Sequence, residues 1–262
     1  MSFFEAIFLG LIQGLTEFLP VSSSGHLSIG KELLNIESDN LAFEISVHAA
    51  TVMSTIVVFR KEILSLLSGL FKFSYNDETK FVLKIALSML PVFVVGVFFK
   101  DFVEKVFGSG LLIPGICLLI TSGLLLFAQY AKSKVRELGY KEAFIIGIAQ
   151  AFAVLPGLSR SGSTISTGIL LGVKKEEVAK FSFLMVLIPI LGEAFLELVS
   201  GDLAGSSTGI SSINLLAGFF AAFISGLFAC KVMISLVKRL KLTGFALYCA
   251  ILGVFIILRT IL

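Results

Sequence analysis

Residues 13–26 read QGLTEFLPVSSSGH, and this stretch decides how the whole chain is interpreted. An apolar segment that carries Glu17 is interrupted by Pro20, and three serines, a glycine and His26 follow. The sequence has only two histidines, so a histidine beside an acid and a serine cluster is a rare combination here. Burying such polar groups costs free energy, and we therefore expect them to have a function.

A second stretch, residues 150–163, reads QAFAVLPGLSRSGS and repeats the pattern of the first. The two stretches and their flanks align without gaps at a constant offset, from position 5 to 142 and from position 25 to 162. The residues identical in this alignment are Glu5, Ala6, Gly10, Gln13, Ser22, Ser24 and Gly25, with Glu142, Ala143, Gly147, Gln150, Ser159, Ser161 and Gly162. A constant register indicates an internal duplication. We predict one membrane domain, 1–262, with repeats at about 1–131 and 138–262.

The composition indicates a membrane protein. Of the 262 residues, 56% are hydrophobic and 15% are charged, whereas a soluble domain has about 25% charged residues. Repeated apolar runs of about 15–25 residues predict several membrane-spanning helices. The net charge is only +3, and no basic run is interleaved with aromatic residues, which argues against nucleic-acid binding.

Each half is predicted to contain one broken segment followed by three crossings. The predicted crossings are 41–59, 81–99, 111–130, 181–200, 213–236 and 243–262, with a mixed-charge loop at 100–105 and a basic loop at 174–180. A segment that breaks at a Pro-Ser-Gly turn is too short to cross twice, so each one is interpreted as a re-entrant hairpin. The predicted fold is an all-α integral membrane protein with an inverted-topology repeat, about six transmembrane helices and two broken re-entrant helical hairpins.

The distribution of basic residues predicts the orientation. The segments 60–84, 132–141, 174–180 and 238–241 are basic and would be cytoplasmic, whereas 201–212 has no Lys or Arg and would lie outside. Three crossings per half then place both termini outside. The first hairpin enters from the outside and the second from the cytoplasm, so the two serine-rich breaks can meet near the midplane.

Arg160 is the most informative single residue. An arginine at bilayer depth costs about 2.5–3.5 kcal/mol on insertion scales and usually has a function. The neighbouring residues that could bind an anion through hydroxyls or backbone amides are Ser159, Ser161, Gly162 and Thr164. A guanidinium beside a group of N–H donors is typical of a phosphate site. A structural ion pair with Glu17 is the alternative reading.

The first serine cluster suggests a nucleophile. Ser22, Ser23 and Ser24, with Gly25, lie within one helical turn of His26, and a serine beside a histidine base is a minimal activated nucleophile. A capping serine beside a packed histidine is the alternative. Glu17 could orient His26, bind a divalent cation or accept a proton.

Two further polar pairs are spaced one turn apart. Gln13 precedes Glu17 by four residues and can add a ligand oxygen on the same helix face. Glu44 and His48 have the same spacing and are interpreted as a polar pair that lines the cavity, rather than as a metal site.

The two motifs resemble those of the undecaprenyl-diphosphatase, or bacitracin-resistance, family. Gln13 and Glu17 followed by LPVSSSGH resemble its E/Q-xxx-E motif and the histidine after the serine cluster, and residues 156–164, PGLSRSGST, resemble its PGxSRSxxT motif. The resemblance in length and hydropathy covers the whole chain. The family often has glutamate where this chain has Gln13, which leaves Glu17 as the single acid of the pair.

The resemblance implies an enzyme of the bacterial cytoplasmic (inner) membrane whose active site faces the outer side. It would hydrolyse undecaprenyl diphosphate to undecaprenyl phosphate and recycle the lipid carrier of cell-wall synthesis. The family implies a divalent cation, Mg²⁺ with Ca²⁺ as the alternative, and Glu17 and Gln13 are its candidate ligands. The sequence does not determine the oligomeric state, and a homodimer is one of the possible assemblies.

The resulting hypothesis assigns a role to each group. Arg160 and the amides around Ser161 and Gly162 hold phosphate, and Ser23 attacks the terminal phosphorus with His26 as base. Ser22, His26 itself and a water molecule are alternative nucleophiles. The prenyl chain lies between the helices, against Phe-, Leu- and Ile-rich walls. The competing function is an inverted-repeat transporter or lipid-phosphate flippase, which does not need a serine, a histidine and an acid together.

Overall fold

The protein is entirely helical over the residues that the computed structural model describes: 1–36, 41–108, 110–131, 136–192, 210–239 and 242–261. The helices are α1 (Phe3–Phe18), α2 (Ser23–Leu33), α3 (Leu41–Val58), α4 (Arg60–Leu70), α5 (Asp77–Phe98), α6 (Lys100–Phe107), α7 (Leu112–Tyr130), α8 (Tyr140–Phe152), α9 (Arg160–Leu170), α10 (Lys175–Met185), α11 (Ser212–Lys238) and α12 (Thr243–Ile261). An isolated bridge between Arg136 and Val173 is the only β-type pairing in these ranges.

Four of the described helices are long and apolar enough to cross a membrane: α5, α7, α11 and α12. The pair α3 and α4 qualifies together, with a bend of 77° between the two helices. These elements coincide with five of the six predicted crossings, and the chain is therefore an all-helical membrane protein. The sixth predicted crossing, 181–200, lies partly outside the described residues, because 193–200 are not among them.

Two predicted loops are wrong. The mixed-charge segment 100–105 is helical and belongs to α6, and most of the basic segment 174–180 forms the first turns of α10. Both segments combine charged residues with two neighbouring apolar residues, a composition that suits a short helix at the membrane surface as well as a loop. Charge content alone therefore could not distinguish a surface helix from a loop.

Both predicted breaks are present. We call the break between α1 and α2 (residues 19–22) the first elbow and the break between α8 and α9 (residues 153–159) the second elbow. Leu19 is extended, as expected for a residue before proline, and ends α1. Gly157 has φ of +89°, and a Cβ there would lie 2.2 Å from the carbonyl oxygen of Pro114, so the second elbow requires glycine.

The two breaks have the same hydrogen-bond pattern. Ser22 begins α2 as its N-cap and accepts from the amide of Gly25, at 3.4 Å. Ser159 begins α9 and accepts from the amide of Gly162, at 3.0 Å. Ser22, Ser159 and the two glycines are aligned residues of the sequence repeat. The same local sequence has therefore produced the same cap.

The helices that lead into the elbows also pack alike. α1 lies along α11, where a Cβ on Gly10 would be 2.3 Å from the carbonyl oxygen of Gly218. α8 lies along α5, where a Cβ on Gly147 would be 2.3 Å from the carbonyl oxygen of Ser88. Gly10 and Gly147 are aligned residues, and each allows two membrane helices to approach backbone to backbone.

Candidate functional site

The two elbows meet inside the protein. A Cβ on Gly25 would lie 3.1 Å from the Cα of Gly157, so the two turns are in close contact. The hydroxyl of Ser161 donates to the carbonyl oxygen of Leu19, at 3.2 Å. The site is thus built from segments about 140 residues apart, as predicted from the repeat.

Glu17 and Arg160 form an ion pair across this contact. The Glu17 side chain is 6% exposed and that of Arg160 is 26% exposed, so the carboxylate is buried while the guanidinium keeps an open side. This ion pair is the alternative role that the sequence suggested for Arg160. The pair and a phosphate-binding role are compatible, because the guanidinium has five N–H donors and the ion pair uses one nitrogen.

The Glu17 carboxylate accepts hydrogen bonds from three neighbouring side chains. One oxygen pairs with Arg160, and the other accepts from the hydroxyl of Ser23, at 2.6 Å, and from the side-chain amide of Gln13, at 2.8 Å. The predicted Gln13 and Glu17 face is therefore confirmed. Because the acid is ionised by its pairing with Arg160, it can accept the proton of Ser23.

Both ring nitrogens of His26 contact groups other than Ser23, so the predicted role of His26 as the base for Ser23 stays a prediction. Its Nδ1 lies 2.7 Å from the carbonyl oxygen of Ser22 and its Nε2 lies 2.6 Å from the hydroxyl of Tyr248. The His26 and Tyr248 rings stack, with centroids 5.5 Å apart and 13° between planes. A carbonyl oxygen only accepts, so Nδ1 of the neutral ring carries the proton and Nε2 accepts from Tyr248.

The backbone explains this arrangement. Ser22 has φ of +69°, in the left-handed region, and its carbonyl oxygen receives both the amide, at 3.2 Å, and the Nδ1 of His26. The Ser22 carbonyl therefore turns the imidazole away from Ser23. Non-glycine residues with positive φ are uncommon and tend to occur at functional sites.

One of the predicted phosphate-binding amides, that of Gly162, already has a partner. The Gly162 amide donates to the hydroxyl of its N-cap Ser159, and the Ser163 amide donates to the Ser159 carbonyl oxygen, at 2.8 Å. Thr164 is buried and bonded to the Arg160 carbonyl oxygen, at 2.9 Å, and to the Ser182 hydroxyl, at 2.6 Å. The Ser159 and Thr164 side chains therefore hold the turn in place, and the phosphate-binding role of Arg160 stays a prediction.

A small cavity adjoins the ion pair. It has a volume of about 20 Å³ and lies between α1, α3, α9 and α10. The polar residues that line it are Glu17, Thr51, Thr55, Arg160, Ser161 and Ser182. No sequence motif had pointed to Thr51, Thr55, Ser182 or Tyr248. The spacing of Thr51 and Thr55 was a usable signal, because two hydroxyls four residues apart share one face of an apolar helix.

The site offers oxygen ligands for a cation but no cluster of acids. Among the described residues, no three His, Cys, Asp or Glu side chains lie close enough to hold a metal ion. The Oε1 of Gln13 is buried and has no hydrogen-bond partner, and it lies one turn from Glu17. An amide oxygen, one carboxylate and the oxygens of a bound diphosphate are ligands that suit Mg²⁺, so the residues present fit this ion.

Glu44 and His48 do not form the predicted side-chain pair. The carboxylate of Glu44 pairs with Lys31 of α2, and the Nδ1 of His48 lies 2.8 Å from the Glu44 carbonyl oxygen. The Lys31 pair joins α2 to the start of α3. It is a structural contact beside the site.

Comparison with known proteins gives full-length matches. The family model described as bacitracin resistance protein BacA matches residues 6–255. The chain is 59% identical over 268 residues to the undecaprenyl-diphosphatase of Parabacteroides distasonis, with 100% of both chains covered. It is 60% identical over 260 residues to that of Bacteroides fragilis, with 97% of each covered. The undecaprenyl-diphosphatase of Carboxydothermus hydrogenoformans is 40% identical over 261 residues, covering 98% of this chain and 97% of the relative.

Proposed function

The chain belongs to the bacitracin resistance protein BacA family, and from that premise we infer that it hydrolyses undecaprenyl diphosphate to undecaprenyl phosphate and inorganic phosphate. Its full-length relatives bear the name of this phosphatase. The observation that carries the assignment to a site is the Glu17 carboxylate, which holds both Arg160 and the hydroxyl of Ser23. A phosphate ligand, a proton acceptor and a nucleophile are thereby in direct contact.

The proposed reaction starts at Ser23. The guanidinium of Arg160 binds phosphate oxygens on its open side, and phosphoryl transfer depends mainly on such positioning and charge stabilisation. The Ser23 oxygen bonds to the terminal phosphorus while its proton passes to Glu17. The bond from that phosphorus to the bridging oxygen breaks, and undecaprenyl phosphate leaves with the electron pair. Water then releases inorganic phosphate from Ser23.

His26 is the alternative base. For this role its Nε2 would have to exchange the hydroxyl of Tyr248 for that of Ser23, because Nδ1 is bound to the Ser22 carbonyl oxygen. Glu17 needs no such change, since its hydrogen bond to Ser23 already exists. Glu17 is therefore the preferred acceptor in this proposal.

A divalent cation fits the same site. Glu17 and the unpartnered Oε1 of Gln13 would hold it, together with substrate oxygens. When bound, Mg²⁺ or Ca²⁺ would neutralise charge on the diphosphate.

We place the site in an inverted repeat with six crossings and two re-entrant hairpins, opening to the outer side of the bacterial inner membrane. The matching caps at Ser22 and Ser159, and the matching helix approaches at Gly10 and Gly147, support two repeats, at about 1–131 and 138–262. The orientation rests on the charge pattern of the sequence.

Phosphate release in detergent tests the function. Purified protein without a membrane should release inorganic phosphate from a prenyl diphosphate, and the detergent removes any transport step. A flippase or transporter would bind the lipid and release nothing. The matched control is the Arg160→Ala variant. It should bind the prenyl diphosphate poorly and release phosphate at least about a hundredfold more slowly than the wild-type protein.

A further inference from the structure

The small cavity beside the ion pair is lined by hydroxyls whose protons are already donated elsewhere. Thr51 donates to the carbonyl oxygen of His48, at 2.7 Å, and Thr55 donates to that of Thr51, at 3.1 Å. Ser161 donates to the carbonyl oxygen of Leu19. Each hydroxyl oxygen therefore has only lone pairs left to offer.

The hydroxyl of Ser182 also donates its proton to a neighbouring group. Thr164 gives its own proton to the Arg160 carbonyl oxygen, at 2.9 Å, so Ser182 is the donor in the 2.6 Å contact between the two hydroxyls. Glu17 is an acceptor as well. Among the side chains that line the cavity, Arg160 alone keeps N–H groups to donate.

A cavity with this lining favours a molecule that can donate hydrogen bonds. A phosphate oxygen would face acceptors on most sides, which is unfavourable. The proposed cation site includes the Oε1 of Gln13, and Gln13 does not line this cavity. Water suits the cavity, because it donates two hydrogen bonds, and a volume of about 20 Å³ holds about one molecule.

The position of the two threonines is not explained by helix packing. Thr51 and Thr55 are both 1% exposed and lie on the face of α3 toward the cavity. Ser54, between them in sequence, faces α11 and donates to the Phe223 carbonyl oxygen, at 2.8 Å. Ser54 therefore joins two helices, while the threonine hydroxyls contact their own helix and the cavity.

We propose that this cavity holds the water that hydrolyses the phosphorylated Ser23, and that Thr51 and Thr55 are its positioning residues. The inference rests on the proposed function and on Ser23 as nucleophile. The water oxygen bonds to phosphorus, and the bond from phosphorus to the Ser23 oxygen breaks with its electron pair remaining on that oxygen. Glu17, which contacts Ser23 and lines the cavity, returns to the Ser23 oxygen the proton taken in the first step and accepts the proton released by the water. Loss of that proton to solvent restores the carboxylate.

The kinetic test compares Thr51→Val, Thr55→Val and the double variant with the wild-type protein in detergent. Valine keeps the shape of threonine and removes the hydroxyl. Each single variant should lower kcat about tenfold, since one hydrogen bond of ordinary strength is lost in the hydrolysis step. KM should fall with kcat because the phosphorylated enzyme accumulates, so kcat/KM should change less than about twofold. With rapid acid quenching, a larger fraction of Ser23 should carry labelled phosphate than in the wild-type protein.

Two controls separate positioning from stability. Thr51→Ser and Thr55→Ser restore the hydroxyl and should recover most of the lost rate. Ser54→Ala removes a hydroxyl from the other face of α3, so it should lower the unfolding temperature and leave kcat unchanged. The rate of phosphate release by the wild-type protein tests the proposed function by itself. The ratio of kcat in the threonine variants to kcat in the wild-type protein tests the positioning of the water.

The inference is overturned if the Thr51→Val/Thr55→Val double variant keeps kcat within twofold of wild type. It is also overturned if the serine variants lose as much rate as the valine variants. A high-resolution experimental structure provides a test that does not use activity. Density for one water between Thr51, Thr55 and Glu17 supports the inference, and an anion or an empty cavity there contradicts it.

Discussion

Glu17, at the end of α1, and Arg160, at the start of α9, form an ion pair that joins two turns 143 residues apart in sequence. The pair links the end of α1, directly before the first elbow, to the start of α9, directly after the second elbow. The Glu17 carboxylate also accepts a hydrogen bond from the hydroxyl of Ser23, so Ser23 and Arg160 contact one acid. In the proposed mechanism, stability and function depend on the same two side chains, so variants have to be measured for both.

Removing Arg160 should destabilise the protein as well as inactivate it. Arg160→Ala leaves the buried Glu17 carboxylate unpaired, which costs about 3–5 kcal/mol. The unfolding temperature in detergent should therefore fall. Adding Glu17→Gln to Arg160→Ala should recover much of this loss without restoring phosphate release. If the double variant unfolds at the same temperature as Arg160→Ala, the ion pair is not the source of the lost stability.

The acceptor of the Ser23 proton can be identified by comparing two variants. Glu17→Gln keeps the shape of the side chain and removes the base in contact with Ser23, so phosphate release should fall at least about a hundredfold. His26→Asn should cost at least tenfold less, because the His26 ring bonds to Ser22 and Tyr248 instead. Tyr248→Phe is the control for the imidazole environment. The opposite order of the two losses would assign the base role to His26.

The serines of the first elbow should separate into a nucleophile and a cap. Ser23→Ala should abolish phosphate release with little change in unfolding temperature. Ser22→Ala removes an N-cap, which costs about 1 kcal/mol of stability, and should leave measurable activity. Acid-quenched enzyme should carry labelled phosphate in the Ser22 variant and none in the Ser23 variant. Label remaining in Ser23→Ala would reassign the nucleophile.

The glycines of the two helix contacts should be intolerant of alanine. At Gly10 and at Gly147 a Cβ would lie 2.3 Å from a backbone oxygen of the facing helix, and such overpacking costs about 1–3 kcal/mol. Gly123 of α7 is the matched control, because nothing lies within 4 Å of its Cβ position. Gly123→Ala should raise stability by about 0.5–1 kcal/mol, as alanine favours the helix. Thermal unfolding in detergent measures all three, and equal effects would contradict this packing.

Gln13→Glu should change the cation requirement. A second carboxylate one turn from Glu17 adds charge to the site, so the Mg²⁺ concentration for half-maximal phosphate release should fall about tenfold. Gln150→Glu is the control, since Gln150 is the aligned residue of the second repeat and its Oε1 is likewise buried without a partner. That variant should lose stability and keep the wild-type response to Mg²⁺. An unchanged response in Gln13→Glu would remove Gln13 from the cation site.

The sequence by itself determined the membrane class, the two breaks and the identity of their polar residues. Apolar length, proline and serine–glycine turns act locally, through backbone geometry and transfer to lipid, so they can be read from neighbouring residues. The internal alignment also predicted that the two breaks would meet, because equivalent breaks of two repeats occupy equivalent depths. The pairing of Arg160 with Glu17 was only the alternative interpretation of that arginine.

Only the tertiary structure decided which hydrogen bonds these residues make. The partner of Ser23 is Glu17 and the partner of His26 is Tyr248, which lies 222 residues from it in sequence. Thr51 and Thr55 resembled ordinary residues of an apolar helix until α3 was placed beside the cavity. A side chain's hydrogen-bond partner depends on the position and orientation of a distant helix to within an ångström, and one-dimensional spacing carries no such information.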